Sequence, residues 1–175
     1  MSDDLKKYIR SVNDFPKKGI VFRDITTLLK DPAAIKLTLK NLFELSKDKD
    51  INKVVGIESR GFMFGVPLAE RLDAGFIPIR KPGKLPAKTI KETYKLEYGS
   101  DSIEMHEDAI SPGDKVLLHD DLLATGGTAA AACSLIEKLG GKIIQVSFII
   151  ELEFLNGRNK LKDYNVQSLI KYETE

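Results

Sequence analysis

Short apolar segments alternate with segments of helical periodicity along most of the chain, and this alternation is the strongest constraint on its fold. Helical patterns cover 62–72 and 128–139, and the apolar segments with the length of strands are 53–57, 75–79, 115–118 and 143–151. Such alternation predicts βαβ units, a mainly parallel twisted sheet and flanking helices. Because the chain has 175 residues, enough for one compact core, we predict a single α/β domain over 1–175.

The N-terminal part carries a different pattern. Apolar residues at helical spacing predict a helix over 3–12, and Pro16 and Gly19 then favour extended chain. Asp31 and Pro32 are typical of a helix start, since aspartate caps the first turn and proline fits within it. We therefore predict a second helix from this point.

One long segment and three strand ends are candidates for function. Residues 81–101 are polar, lack an apolar face and predict a long loop with weak hairpin character around 94–98. A loop of this length in a compact domain is usually functional. Parallel sheets bind ligands at the carboxyl ends of their strands, so the loops after Ile57, Ile79 and His119 are the places to expect a site.

Composition excludes several classes of function. Basic and acidic residues number 27 and 26, so a net charge of +1 leaves no surplus to attract nucleic acid or a membrane surface. Cys133 is the sole cysteine, which rules out an intrachain disulfide, and its alanine-rich surroundings are typical of a buried residue. The longest apolar stretch is too short to span a bilayer, and the charged N-terminus is unlike a signal peptide. We expect a cytoplasmic protein.

The most informative motif is a strand that runs into two acids and then into a glycine-rich loop and a helix. The acids are Asp120 and Asp121, and the loop consists of Ala124, Thr125, Gly126, Gly127 and Thr128. Adjacent glycines let backbone amides approach an anion, and the helix N-terminus favours negative charge at the same place. The loop is therefore a candidate site for a phosphate monoester.

The acids identify the rest of the ligand. The motif is neither a Walker A loop nor GxGxxG, and the two carboxylates would repel a polyphosphate. Carboxylates accept hydrogen bonds well, so they suit the two hydroxyls of a ribose. For the glycine pair alone, an ordinary strand-to-helix turn is the simpler interpretation. The complete series favours recognition of a ribose 5-phosphate.

This series resembles the phosphoribosyl pyrophosphate (PRPP) motif of the type I phosphoribosyltransferases. Four other segments resemble the adenine-specific members of that family, in the same order: FPKKGIVFRDITTLLKDP, VVGIESRGFMFG, IRKPGKLP and YKLEYGSDSIEMHEDAI. The resemblance covers nearly the whole chain and weakens after Gly157. It implies a purine-binding hood over 1–30, a mobile catalytic loop over 81–101, and transfer of the phosphoribosyl group of PRPP to adenine, giving AMP and pyrophosphate.

The resemblance also assigns roles to single residues. Asp120 and Asp121 would bind the ribose hydroxyls, and residues 124–128 the 5-phosphate. Phe22 would stack on the purine, and backbone groups of Val21 and Arg23 would read its edge. From the residues alone, a core role for Phe22 and a local ion pair for Arg23 are equally good interpretations.

Three further segments are candidates for pyrophosphate binding and for catalysis. The resemblance places Glu58, Ser59 and Arg60 against pyrophosphate, with a cis bond between Glu58 and Ser59. Cations near a departing pyrophosphate would stabilise its charge, and the basic cluster consists of Arg80, Lys81 and Lys84. The resemblance makes Glu97 a general acid or base near the purine N7, with Tyr98 beside the ribose. It also implies Mg²⁺, carried mainly by the substrate rather than by dedicated protein ligands, and a homodimer.

Two other functions remain open at this point. A phosphoribosyltransferase for guanine, hypoxanthine or xanthine would use the same phosphate loop, although VFRD near the N-terminus argues against it. A non-catalytic regulator that senses PRPP would also retain this loop. Such regulators usually carry a DNA-binding extension, for which we see no signal in the sequence.

Overall fold

The computed structural model describes residues 3–95 and 99–175, and its centre is a five-stranded sheet in which all neighbouring strands are parallel. The strands are β1 Arg10–Asn13, β2 Val21–Asp24, β3 Lys53–Ile57, β4 Gly75–Ile79, β5 Thr89–Lys95, β6 Ser100–His106, β7 Lys115–Leu123, β8 Lys142–Leu152 and β9 Val166–Tyr172. The helices are α1 Asp3–Lys6, α2 Thr26–Leu29, α3 Pro32–Glu44, α4 Arg60–Arg71 and α5 Gly127–Lys138. The sheet order is β4-β3-β7-β8-β9.

Both faces of the sheet are covered by apolar residues. Helix α5 and the β5–β6 hairpin pack on one face, where Ile103, Met105 and Leu135 are buried together. Helices α1, α3 and α4 pack on the other face, around Leu42 and Phe64. The parallel sheet with flanking helices confirms the α/β fold predicted from the sequence.

Helix α3 begins where the sequence predicts. The carboxylate of Asp31 accepts hydrogen bonds from the backbone N–H groups of Ala33 and Ala34, at 2.8 and 3.0 Å. Pro32 occupies the first turn, where its missing N–H costs nothing. These contacts satisfy two of the N–H groups that have no partner within the helix.

The prediction of one helix over 3–12 is wrong in its second half. Helix α1 ends at Lys6, and Arg10–Asn13 form β1, which pairs antiparallel with β2. In that register Val12 lies opposite Phe22. Pairing with the next strand along the chain satisfies the backbone here, and the helical spacing of apolar residues did not reveal it. The two strands form a small sheet of their own, separate from the central one.

Residues 81–101 contain more regular structure than predicted. Strands β5 and β6 pair antiparallel over seven residues each, from Thr89 opposite His106 to Lys95 opposite Ser100. The hairpin forms because one side of β6 is apolar: Ile103 and Met105 are buried against the main sheet and α5. The described part of this segment is therefore mostly hairpin, preceded by an irregular stretch over 81–88.

The remaining differences concern boundaries. Strand β7 continues to Leu123, so the acid pair lies within the strand and not beyond it. Strand β9, which was not predicted, pairs with β8 at the edge of the sheet. Within residues 3–95 and 99–175, no helix has the length and apolar character needed to cross a membrane.

Candidate active site

Strand β7 presents two neighbouring carboxylates near its carboxyl end. Asp121 is 2% exposed, and its backbone N–H donates to Oδ1 of Asp120 at 2.8 Å. Burial, and then the charge of Asp121, raise the pKa of Asp120 well above its ordinary value. Burial also raises the pKa of Asp121, although the charge of Arg60 opposes it. A ligand that donates hydrogen bonds to these two carboxylates would therefore stabilise their charged forms.

The glycine-rich loop follows these acids directly and completes a cavity of about 260 Å³. Gly126 has φ of 77°, a left-handed conformation that residues with a Cβ rarely adopt. It precedes the first turn of α5, so the free N–H groups of that turn lie at the cavity. The cavity is lined by both acids, by the whole loop and by Ile57, Glu58, Arg60, Lys81, Tyr94, Ile103, Leu122, Leu123 and Ala129. The structure thus brings the sequence-predicted diol and phosphate residues together.

Arg60 links the acids to the N-terminal sheet. Its Nε lies 2.9 Å from Oδ2 of Asp121, and its guanidinium lies 5.2 Å from the ring centroid of Phe22. Phe22 also packs edge-on against Phe15, with ring centroids 5.3 Å apart. Phe22 is not among the cavity residues, so it reaches the site through Arg60.

The other two residues predicted to read the base do not line the cavity either. Val21 and Arg23 flank Phe22 on β2. The side chain of Arg23 points to other partners: it donates to Oγ of Ser11 at 2.5 Å, and its guanidinium lies 4.1 Å from the ring centroid of Tyr172. Because Tyr172 belongs to β9, this contact attaches the N-terminal sheet to the main body.

The predicted pyrophosphate residues are clustered, and Glu58 is their centre. Its carboxylate accepts from the backbone N–H of Lys81 at 2.6 Å, from Nζ of Lys84 at 3.0 Å and from the guanidinium of Arg80 at 3.3 Å. Burial alone would raise the pKa of Glu58, but these three donors outweigh it and hold the pKa at about 2. The Glu58–Ser59 peptide bond is cis, as the resemblance implies.

Glu58 therefore holds two of the cations, Arg80 and Lys84, outside the cavity lining. Lys81, in contrast, lines the cavity with its side chain paired to Asp101. A pyrophosphate group that entered here would have to compete with Glu58 and Asp101 for these side chains.

Two predicted residues, Glu97 and Tyr98, lie outside the described residues. The structure adds Tyr94 and Ile103 to the cavity wall, which the sequence analysis did not identify. The hydroxyl of Tyr94 donates to Asp101 at 3.3 Å. The alternation of apolar residues at 103 and 105 was the available signal for Ile103, whereas Tyr94 offered none.

The chain resembles known proteins in both sequence and fold. Residues 24–173 match the family model for the phosphoribosyl transferase domain. An adenine phosphoribosyltransferase of Christiangramia forsetii is 64% identical over 97% of this chain and 99% of its own. The adenine phosphoribosyltransferase of Thermoanaerobacter pseudethanolicus superimposes with a TM-score of 0.95 and 49% identity, covering 98% of this chain and 100% of that one.

A third relative was crystallised with ligands. The adenine phosphoribosyltransferase of Saccharomyces cerevisiae, complexed with D-2,5-dideoxy-2,5-imino-altritol 1,6-bisphosphate and adenine, superimposes with a TM-score of 0.90 and 41% identity. The match covers 96% of this chain and 97% of that one.

Proposed function

Because this chain belongs to the adenine phosphoribosyltransferase family, we propose that it transfers the 5-phosphoribosyl group of PRPP to adenine, giving AMP and pyrophosphate in purine salvage. The observation that carries this function is the shared cavity of Asp120, Asp121 and the loop 124–128. Its volume of about 260 Å³ suits a ribose phosphate bearing a further group. Its carboxylates can accept hydrogen bonds from a diol, and the amides at the N-terminus of α5 can donate hydrogen bonds to a phosphate.

In this proposal the loop and the acids hold the phosphoribosyl group. The backbone amides of Thr125 to Thr128 donate to the 5-phosphate, and the dipole of α5 favours its charge. Asp120 and Asp121 accept from the two ribose hydroxyls. Binding is favoured because each carboxylate gains a hydrogen bond from a ribose hydroxyl, and hydrogen bonds to charged groups are stronger than those between neutral groups.

Pyrophosphate is bound by four cations: Arg60 and the basic cluster of Arg80, Lys81 and Lys84. Arg60 and Lys81 line the cavity, and Arg80 and Lys84 lie directly behind Glu58. Negative charge develops on pyrophosphate as the bond to the sugar breaks, so cations already in place stabilise the transition state.

Adenine binds beside Phe22, at the face of the phenylalanine ring that the Arg60 guanidinium covers in this structure. Backbone groups of Val21 and Arg23 read the amino-bearing edge of the base. A 6-oxo purine would leave such groups unpaired, which is a strong basis for discrimination. The bond between the ribose C1 and pyrophosphate breaks with its electron pair on pyrophosphate, the lone pair of N9 in N7-protonated adenine forms the new bond to C1, and the N7 proton passes to Glu97. Glu97 serves as the general acid or base near N7, with Tyr98 beside the ribose.

The donor set suits Mg²⁺ bound through the substrate. Asp120 and Asp121 are hard oxygen donors, and the buried Oδ2 of Asp121 is held only by its ion pair with Arg60 among the described residues. Mg²⁺ bound to PRPP would neutralise pyrophosphate charge, with these carboxylates contributing through water. Among residues 3–95 and 99–175, no group of three His, Cys, Asp or Glu is arranged as a metal site of its own.

A panel of bases tests this function. Purified protein is incubated with PRPP and Mg²⁺ and with adenine, hypoxanthine, guanine or xanthine, and nucleotide formation is followed spectrophotometrically. We expect AMP from adenine, no product from the 6-oxo purines, and loss of turnover with EDTA. Equal use of hypoxanthine would assign the chain to the other purine specificity.

We also propose a cytoplasmic homodimer, as predicted from the sequence. Met63 and Val66 are 46% and 50% exposed on α4, the helix that begins with Arg60, and they would form part of a contact with a second copy. Light scattering of the wild type and of Met63→Glu tests this, and a wild-type mass equal to the monomer would refute it.

A further inference from the structure

A segment that follows β8 lies against the phosphate loop. Residues 153–160 form two short 3-10 turns, and the second begins at Gly157, which is buried. A Cβ on Gly157 would come closer than 3.0 Å to the backbone oxygen of Ala124, and a Cβ on Gly126 would come equally close to the oxygen of Gly157. The two backbones are therefore in direct contact, with no room for a side chain between them.

The residue after Gly157 fixes it to the sheet. Arg158 donates from Nε and Nη2 to the two carboxylate oxygens of Glu151, at 2.5 and 2.8 Å, and from Nη1 to the oxygen of Val166 at 3.0 Å. Glu151 is 2% exposed and also accepts from Ser168 at 2.7 Å. A bidentate pair of this kind restrains direction as well as distance.

Strand register connects this ion pair to the site. Glu151 lies opposite Leu123, the last residue of β7. The loop therefore leaves the sheet beside Glu151, the residue that binds Arg158. Gly157 contacts Ala124, the first residue of the loop. Three adjacent elements, β7, β8 and the 3-10 turn, thus determine where the loop can lie.

We propose that Gly157, held by the Arg158–Glu151 pair, is the template that shapes the loop 124–128 for the 5-phosphate. Gly157, Arg158 and Glu151 are then positioning residues, since they act through the loop. This inference rests on the proposed function and adds a role that the phosphate motif itself does not contain. It has a physical basis because hydrogen bonds weaken steeply below an angle of about 120°, and a displacement of about 1 Å at a binding group can cost about 10²-fold.

The first test compares Gly157→Ala with Gly75→Ala. Gly75 begins β4, and a Cβ there would come nearest to the flexible end of Lys53, at 3.3 Å, so this variant is a matched control. Calorimetric titration with ribose 5-phosphate is the readout. We expect Gly157→Ala to weaken binding about tenfold or more, the effect of losing one hydrogen bond to a charged group. Gly75→Ala should bind like the wild type.

The outcomes separate this inference from the proposed function. Unchanged ribose 5-phosphate binding by Gly157→Ala would overturn the inference, even if the wild type makes AMP. A wild type that binds ribose 5-phosphate but does not convert adenine would refute the function. In that case, weaker ribose 5-phosphate binding by Gly157→Ala would still support the template role. A wild type that does not bind ribose 5-phosphate would overturn both.

A second pair of variants covers the case in which Gly157→Ala does not fold. Arg158→Lys keeps the charge but loses the fork, and Glu151→Gln keeps the shape but loses the charge. We expect KM for PRPP to rise about tenfold with KM for adenine unchanged, and the double variant to be no worse than the single ones. A purely structural role would lower the melting temperature without separating the two KM values, and that result would overturn the inference.

Discussion

Replacing Glu58 with glutamine should make the protein less stable and, at the same time, a better binder of pyrophosphate. The carboxylate of Glu58 holds Arg80 and Lys84, and its side chain is only 12% exposed. Glutamine keeps the shape and can still accept from the N–H of Lys81, but it cannot hold the two cations. They would become free to meet an anionic ligand.

The pKa of Glu58 sets the size of the stability effect. Its fall from 4.5 to about 2 corresponds to a stabilisation of about 3 kcal/mol, at about 1.4 kcal/mol per pKa unit. Because the pKa is lower in the folded state, this stabilisation is complete above pH 4.5 and is lost as the pH falls towards 2. Arg80 and Lys84 are partly exposed and regain water in the variant, so 3 kcal/mol is an upper limit.

Urea unfolding of the wild type and of Glu58→Gln, from about pH 7 down to about pH 3, tests this reasoning. Glu70→Gln is the control, because Glu70 is exposed on the neighbouring α4. We expect the stability difference to be largest near neutrality and to shrink in acid. Calorimetry should show tighter pyrophosphate binding by the variant, by about 1 kcal/mol for the released ion pairs. Equal stability at neutral pH, or weaker pyrophosphate binding, would refute the account of this cluster.

Three other substitutions have expected results of different kinds. Asp120→Asn should weaken PRPP binding by about 1.5–3 kcal/mol, one hydrogen bond to a charged group. Burial and then Asp121 raise the pKa of Asp120, so the ionised carboxylate destabilises the folded wild type at high pH. At about pH 8 the free energy of unfolding of Asp120→Asn should therefore be at least that of the wild type, and the difference should shrink towards about pH 4. Tyr172→Leu removes the ring that Arg23 covers, so steady-state kinetics should show KM for adenine raised about fivefold, the effect of about 1 kcal/mol, with KM for PRPP unchanged; a parallel rise in both would contradict the anchoring role. Glu97→Ala should lower kcat by about 10²–10⁴-fold and flatten one limb of the pH–rate profile, and near-normal turnover would exclude it as acid or base.

The parts of the fold that could be predicted are those whose signal is local. Strands β3 and β4 are continuous apolar runs because both sheet faces are covered, and each ends in a change of composition. The loop 124–128 was identifiable because its glycines, threonines and preceding acids are consecutive. The start of α3 was identifiable because Asp31 caps it.

The parts that were missed depend on pairing and packing partners that lie outside the segment itself. Strand β1 forms by pairing with β2, and a helical spacing of apolar residues at Leu5 and Ile9 concealed it. Strand β9 is half-exposed at the sheet edge, so its apolar pattern is weak. The contact of Gly157 with the loop has no local signature, since it exists only after β8 and its neighbours are in place.

The most direct test of the central claim is calorimetric titration of Mg²⁺-PRPP into the wild type and into an Asp120→Asn, Asp121→Asn double variant. The claim is that one cavity holds the ribose diol on these two acids and the 5-phosphate on the adjoining loop. It predicts saturable binding by the wild type and a loss of about 3 kcal/mol or more in the variant, two hydrogen bonds to charged groups. Equal affinity in the two proteins, or no heat from the wild type, would contradict it.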